Sequence, residues 1–224
     1  MKPLAPDLWI RKYPLSILGT EHGRTVTVIR VSSGKLILHS MAPFSAEDLA
    51  AIQGLGEPAW LVEAMLLHDT YAAEGPKHFP GLPFLGPPGF SEIVKFPVDP
   101  LLPVPAEWEG EVRVIRLQGA PKLEEHLFLH VPSRTLIVAD LIFNFPEDET
   151  GWDRFFHRHI AGFRRYPGTS RIFRWFVSDK EAFRRSLEEV LEWDFDRIIP
   201  GHGEVIESGG KELLRRAMRD AGFL

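Results

Sequence analysis

The chain has 224 residues, 44% of them hydrophobic and 25% charged, with 26 basic against 31 acidic side chains and a formal charge of −5. That length suits a fold with a sizeable core, and the acidic balance offers no basic field for nucleic acid or an anionic membrane. With no cysteine, disulfides, thiolate ligands and cysteine nucleophiles are excluded, and a reducing cytoplasm is the expected compartment. No apolar run approaches the roughly 18 residues of a membrane span, and the opening residues lack the apolar stretch of a secretion signal.

Taken in order, residues 8–10, 25–31 and 35–39 have the β-branched, apolar character of strands, the last two joined at Ser32, Ser33 and Gly34 as a hairpin. Ser45 and Asp48 stand three apart as a capping pair for a helix that runs through Ile52 and stops at Gly54 and Gly56. A strand over 60–62 breaks near His68, and 70–77 and 82–85 follow as a short helix and a short strand. Residues 90–110 lack periodicity and predict a long irregular connection, a flap over a site. Strands are expected over 111–117, 123–131 and 134–142. Trp152, Phe155, Phe156 and Ile160 give helical spacing over 150–163. Phe183, Leu187, Val190 and Leu191 do the same over 180–193, with Ser178 or Asp179 as the cap. A buried strand over 197–200 leads into Gly201, His202 and Gly203, and a helix over 210–221 follows. The element order predicts one domain, residues 1–224, of two similar halves, roughly 1–105 and 110–224.

The stretch 134–144 is the chemical centre of this pattern. Its apolar run Leu136, Ile137 and Val138 leads to Asp140, and a carboxylate where a buried strand meets its loop needs an ion, a metal or hydrogen bonds. Three pieces then fall in sequence: Leu66 to Gly75 around His68, Gly119-Ala120-Pro121 followed by two strands ending at Asp140, and Pro200-Gly201-His202-Gly203. Together they resemble the metallo-β-lactamase superfamily. The resemblance implies an α/β fold, a four-layer αβ/βα sandwich, built for metal-dependent hydrolysis.

It also implies departures. With His68 on the first ligand position, Thr70, Ala72 and Ala73 occupy the next three, and Ala120 stands where another histidine belongs. His68, Asp140 and His202 survive. Two metals about 3.5–4 Å apart need more donors than that, so a dinuclear centre is not expected. One divalent ion (zinc, iron or manganese) held by His68, Asp140 and His202 is one reading. The favoured reading has no cofactor: His202 hydrogen-bonds Asp140, Asp140 accepts backbone N–H groups at its strand end, and His68 is a partly buried histidine. His39, Ala120 and Asn144 are candidates to line the cleft.

Other polar clusters have bland readings beside bold ones. His126 and His130 share a strand face with Glu124, as the polar side of a half-exposed strand or as a ligand set. His157 and His159, two apart, do not share a helix face. Arg154, Arg158, Arg164, Arg165, Arg171 and Arg174 form either a solvated face or an anion-binding edge. Phe155, Phe156, Phe163, Phe173, Trp175 and Phe176 are expected in the core. No phosphate-binding glycine loop or nucleophilic-serine elbow is present. Three functions stay open: a non-catalytic relative that binds a small molecule or partner, a mononuclear hydrolase, and an interaction module using residues 152–176. No nucleic-acid or membrane partner is expected, and self-association is left open.

Overall fold

Alternation of apolar side chains builds the larger sheet. The computed structural model describes residues 1–146 and 150–224. Its first hundred residues supply β1 (Lys2–Ala5), β2 (Leu8–Tyr13), β3 (Ser16–Ile17), β4 (Thr20–Glu21), β5 (Arg24–Arg30), β6 (Lys35–His39), β7 (Glu57–Val62), β8 (Phe84–Gly86) and β9 (Asp99–Pro100). Seven of these form one sheet in the order β1-β2-β5-β6-β7-β8-β9, and β3 and β4 pair as a separate hairpin. In β5 and β6, Val26, Val28, Leu36 and Leu38 join one apolar cluster, while Ile29 and Ile37 join another. Period-two side chains thus bury both faces of the sheet.

One face is covered by α1 (Ala46–Gln53), α2 (Glu74–His78) and α3 (Phe90–Val94), through Ile52, Phe79 and Phe90. The expected capping box is present: Ser45 Oγ accepts from Asp48 N, and the Asp48 carboxylate accepts from Ser45 N. The other face meets a second sheet of β10 (Val112–Arg116), β11 (His126–His130), β12 (Thr135–Ile137) and β13 (Arg197–Ile199), in that order. α4 (Gly151–Phe155) and α5 (Arg171–Phe176) precede α6 (Lys180–Glu192) and α7 (Gly210–Ala221), whose Phe183, Leu187, Val190, Leu214 and Met218 complete the main core. Helices, sheet, sheet and helices make the four layers. Asp179 caps α6, accepting from the amides of Glu181 and Ala182. No helix among the described residues is long and apolar enough to cross a membrane.

Several expectations are corrected. Residues 90–110 are not an irregular flap: they hold α3, β9 and a 3₁₀ turn over Ala106–Trp108, and Leu101 and Trp108 are sealed in the main core. β11 is not half-exposed. It lies inside its sheet, and all five of its residues are buried, His126 and His130 among them. The strand expected over 134–142 ends at Ile137, because the amides of residues 139–141 leave the ladder for a side chain described below.

The helix expected over 150–163 is α4 followed by a π-helical turn over Phe156–Ile160. Its aromatic stripe does not pack on the sheet. Phe156 joins Phe143, Phe145, Phe163 and Tyr166 in a small separate cluster, and Trp152, Phe155 and Ile160 stay half-exposed. Trp175, 80% exposed, is likewise outside the core, while Phe173 is inside it.

Trp108 is the plug that fixes the former flap. Fully buried, it meets Trp60 edge-on with ring centroids 5.7 Å apart and lies 6.3 Å from Phe128. Replacing it with alanine removes the largest fully buried side chain among the described residues. Trp108→Ala is expected to lower unfolding free energy by about 3–5 kcal/mol in urea denaturation; a loss under about 1 kcal/mol would show that this segment does not anchor the core.

Candidate metal site

Where β12 ends, the backbone turns and Glu125 takes over from the sheet. Its Oε1 accepts the N–H groups of Ala139, Asp140 and Leu141 at 2.9, 3.1 and 3.1 Å. Sequence reasoning gave Asp140 that acceptor role; Glu125 performs it, and the Asp140 carboxylate is thereby released toward the cleft. Burial, and then the Asp140 charge, push the Glu125 carboxyl up to about 8 against the pull of those donors.

His68 arrives from the turn that follows β7, with its amide on the Met65 carbonyl. Beneath it lies a buried ion pair absent from the sequence-derived candidates. Arg24 Nη2 donates to both carboxylate oxygens of Glu63 at 2.8 Å, and Met41 N donates to Glu63 Oε1 at 2.7 Å. Arg24 also approaches the His68 carbonyl at 3.4 Å. Glu63 ends an apolar strand as Asp140 does, so the same rule would have singled it out. Arg24 gave no such signal, since its neighbours only mark it as a strand residue.

His202 sits in the tight turn after β13, and the two glycines around it have separate duties. A Cβ on Gly201 would stand 2.7 Å from Ala139 O and 3.2 Å from the His68 ring; Gly203, at φ +88°, passes against the Asn144 carbonyl. Close approach thus needs glycine at 201, and backbone conformation needs it at 203. Asn144 holds the turn in place: its side chain donates to Glu204 O at 3.0 Å, and Glu204 N donates to its carbonyl. The His202 ring stacks on Phe143, centroids 5.6 Å apart and planes 8° from parallel.

The three expected residues meet. His68 Nε2 lies 3.2 Å and His202 Nε2 3.3 Å from the same Asp140 oxygen, Oδ1. One donor atom from each lies within 4.8 Å of the others. The imidazoles are 4–5% exposed and the carboxylate 19%, so the cluster opens to solvent through Asp140. Burial alone would raise the Asp140 pKa, but the two imidazoles more than offset it and hold the carboxyl well below the usual range.

The remaining candidates fall elsewhere. Ala120 packs into the main core. His126 Nδ1 donates to Glu124 O, His130 shares a hydrogen bond with Ser133 Oγ, and Glu124 pairs with Arg116, so these three form no ligand set. His39 is buried edge-on to Phe128, with burial, then Arg24 and His68, pushing its pKa down to about 3. Beside the cluster stand two further rings: His22, 6.0 Å from His202 between centroids, and His157, 5.1 Å from His22.

The layered arrangement and this cluster can be set beside known structures. By sequence the chain matches no family model and no curated protein. By shape it overlays a metallo-β-lactamase from Erythrobacter litoralis with a TM-score of 0.67 at 14% identity, covering 100% of this chain and 96% of that one. A metallo-β-lactamase from Hirschia baltica gives 0.66 at 10% identity, covering 98% and 96%. FIM-1 of Pseudomonas aeruginosa, solved in a mono-zinc form, gives 0.65 at 11% identity, covering 97% and 92%. The chain has the metallo-β-lactamase fold. In that fold the ends of β7, β12 and β13, far apart in sequence, are what bring His68, Asp140 and His202 to one edge.

Two substitutions test how the site is held. Glu125→Ala strands three buried amides and is expected to cost about 3 kcal/mol or more. Glu125→Gln keeps the accepting oxygen and should stay within about 1 kcal/mol of wild type; equal losses in urea unfolding would refute the acceptor role. His39 makes a pH prediction. Unfolded, it protonates below about 6.5; folded, it resists protonation down to about 3, so its contribution to stability is lost as pH falls through that window. Glu125, raised to about 8, acts in the opposite sense in wild type and variant alike. His39→Asn should therefore lose about 2–3 kcal/mol less than wild type between pH 6.5 and 4, read from urea midpoints; parallel curves would contradict it.

Proposed function

We propose that the chain binds one divalent metal ion through His68, Asp140 and His202 and acts as a mononuclear hydrolase. The observation that carries this reading is the tautomer of His202. Its Nδ1 lies 2.5 Å from the Gly23 carbonyl, which can only accept, so Nδ1 bears the proton. In the neutral ring Nε2 is then bare and faces the Asp140 oxygen at 3.3 Å. Two acceptors in that position repel unless a cation lies by them. A backbone carbonyl on the outer nitrogen is also how metal-binding histidines are usually oriented.

Two imidazoles and a carboxylate suit zinc, and iron(II) or manganese as well, and three protein donors leave a position for water. A metal so held supplies Lewis acidity and an activated water. The chain's own residues do the rest. The Gly23 carbonyl and the Phe143 face orient His202, and Glu125 aims Asp140. His22, its Nε2 buried without a hydrogen-bond partner among the described residues, is a further neutral base beside His202. Thr70, Ala72, Ala73 and Ala120 in the other expected positions favour one ion over two, and FIM-1 in its mono-zinc form shows one zinc on this fold.

A second reading rests on the same short distances. With a proton in place of the metal, His68 and His202 both donate to Asp140, and the cluster becomes a structural closure beside a binding cleft. Metal analysis separates the two. Protein purified without chelator should carry about one equivalent of zinc, iron or manganese, falling at least about tenfold in Asp140→Ala and His202→Ala. Metal below about a tenth of an equivalent after zinc reconstitution, or metal unchanged in Asp140→Ala, would leave the protonated closure as the answer.

A further inference from the structure

The arginines of residues 154–174 divide by what they hold. Arg158 donates to the Arg164 carbonyl, and Arg171 to the carbonyls of His159 and Ile160, so these two tie down the loop after the π-helical turn. Arg164, Arg165 and Arg174 instead line a small cleft between residues 164–169, α5 and the last turn of α7. Among the described residues Asp220 is the only acidic one in its wall, and Arg165 already occupies it through Nε at 2.7 Å. Arg164 reaches only the Asp220 carbonyl, at 3.4 Å. Among the described residues, three guanidinium groups face one carboxylate in this wall, an excess of two positive charges in a protein whose net charge is −5.

Two polar atoms in the same wall are buried with no hydrogen-bond partner among the described residues: Arg174 Nε and Thr169 Oγ1. Thr169 is only 8% exposed. Buried polar atoms are almost always paired, and a guanidinium N–H left unpaired is the more costly of the two. Burial, then the charges of Arg164 and Arg171, hold the Arg174 pKa below its ordinary range, as expected where positive charge lacks a counter-ion. A donor fork, a second cation and a hydroxyl facing one small space match an anion that offers acceptors in several directions.

We propose that this cleft binds a tetrahedral oxyanion, the phosphate of inorganic phosphate or of a phosphorylated small molecule, held by Arg164, Thr169 and Arg174. The site is independent of the metal cluster, although Gly168, in its wall, pairs with Phe143 three residues beyond Asp140. A planar carboxylate fits less well, since its acceptor lone pairs lie in one plane whereas a tetrahedral oxyanion offers them in several directions.

Calorimetric titration of the full chain tests this, with sodium phosphate, sodium acetate and glucose 6-phosphate each added at constant ionic strength, because surface attraction is screened by salt. Saturable one-to-one phosphate binding is expected, with acetate at least about tenfold weaker. Arg174→Gln should weaken phosphate about tenfold to a hundredfold. Thr169→Val, which keeps the side chain's shape, should weaken it about threefold to tenfold without lowering the melting temperature of the free protein. Tighter binding of glucose 6-phosphate than of phosphate assigns the site to a phosphorylated small molecule; the reverse order assigns it to the free ion. No saturable phosphate binding, acetate as tight as phosphate, or phosphate affinity unchanged in folded Arg174→Gln and Thr169→Val would each overturn the proposal.

Discussion

Three consecutive amides at residues 139–141 leave the ladder of β12 inside the protein, and one oxygen of Glu125 accepts all three. Buried N–H groups are costly to leave without acceptors, so the backbone turn that presents Asp140 depends on that accepting oxygen. Everything at the cluster follows from the turn. It aims one Asp140 oxygen between two imidazoles, and it lets Gly201 pass beside the Ala139 carbonyl.

Around that turn the chain buries charge in layers, each satisfied from a different element. Arg24 at the start of β5 meets Glu63 just beyond β7, and Glu63 in turn caps the Met41 amide. The same edge of β5 reaches the His202 turn, through the Gly23 carbonyl and through Thr25 N on the Gly201 carbonyl. A buried ion pair is seldom a net source of stability, since desolvation offsets much of the attraction. Its value here is positional: it ties the floor under His68 to the strand that orients His202.

The region after Asp140 shows how one composition serves two environments. Phe143, Phe145, Phe156 and Phe163 close a small apolar cluster of their own, while Trp152, Phe155 and Trp175 from the same aromatic-rich stretch remain at the surface. The π-helical turn over Phe156–Ile160 and the left-handed Gly162 that follows rotate successive side chains off one helical face. Arginines in that loop consequently point in different directions, some to carbonyls and some to the cleft beside α7.

Local signals in the sequence were enough for much of this. Alternation in residues 25–39, the Ser45–Asp48 box, the Asp179 cap and the Phe183–Leu191 spacing specify elements whose hydrogen bonds and periodicity are short-range. The motifs around His68, Asp140 and His202 likewise indicated which side chains converge, because each lies at the end of an apolar strand. Tertiary structure alone decided the rest. Whether Glu125 or Asp140 accepts the strand-end amides, whether His126 is buried, and whether Trp108 plugs the core depend on contacts between residues far apart in sequence. The Gly23 carbonyl fixes the His202 tautomer across 179 positions of chain, and no local pattern encodes a hydrogen bond formed only when two sheet edges pack together.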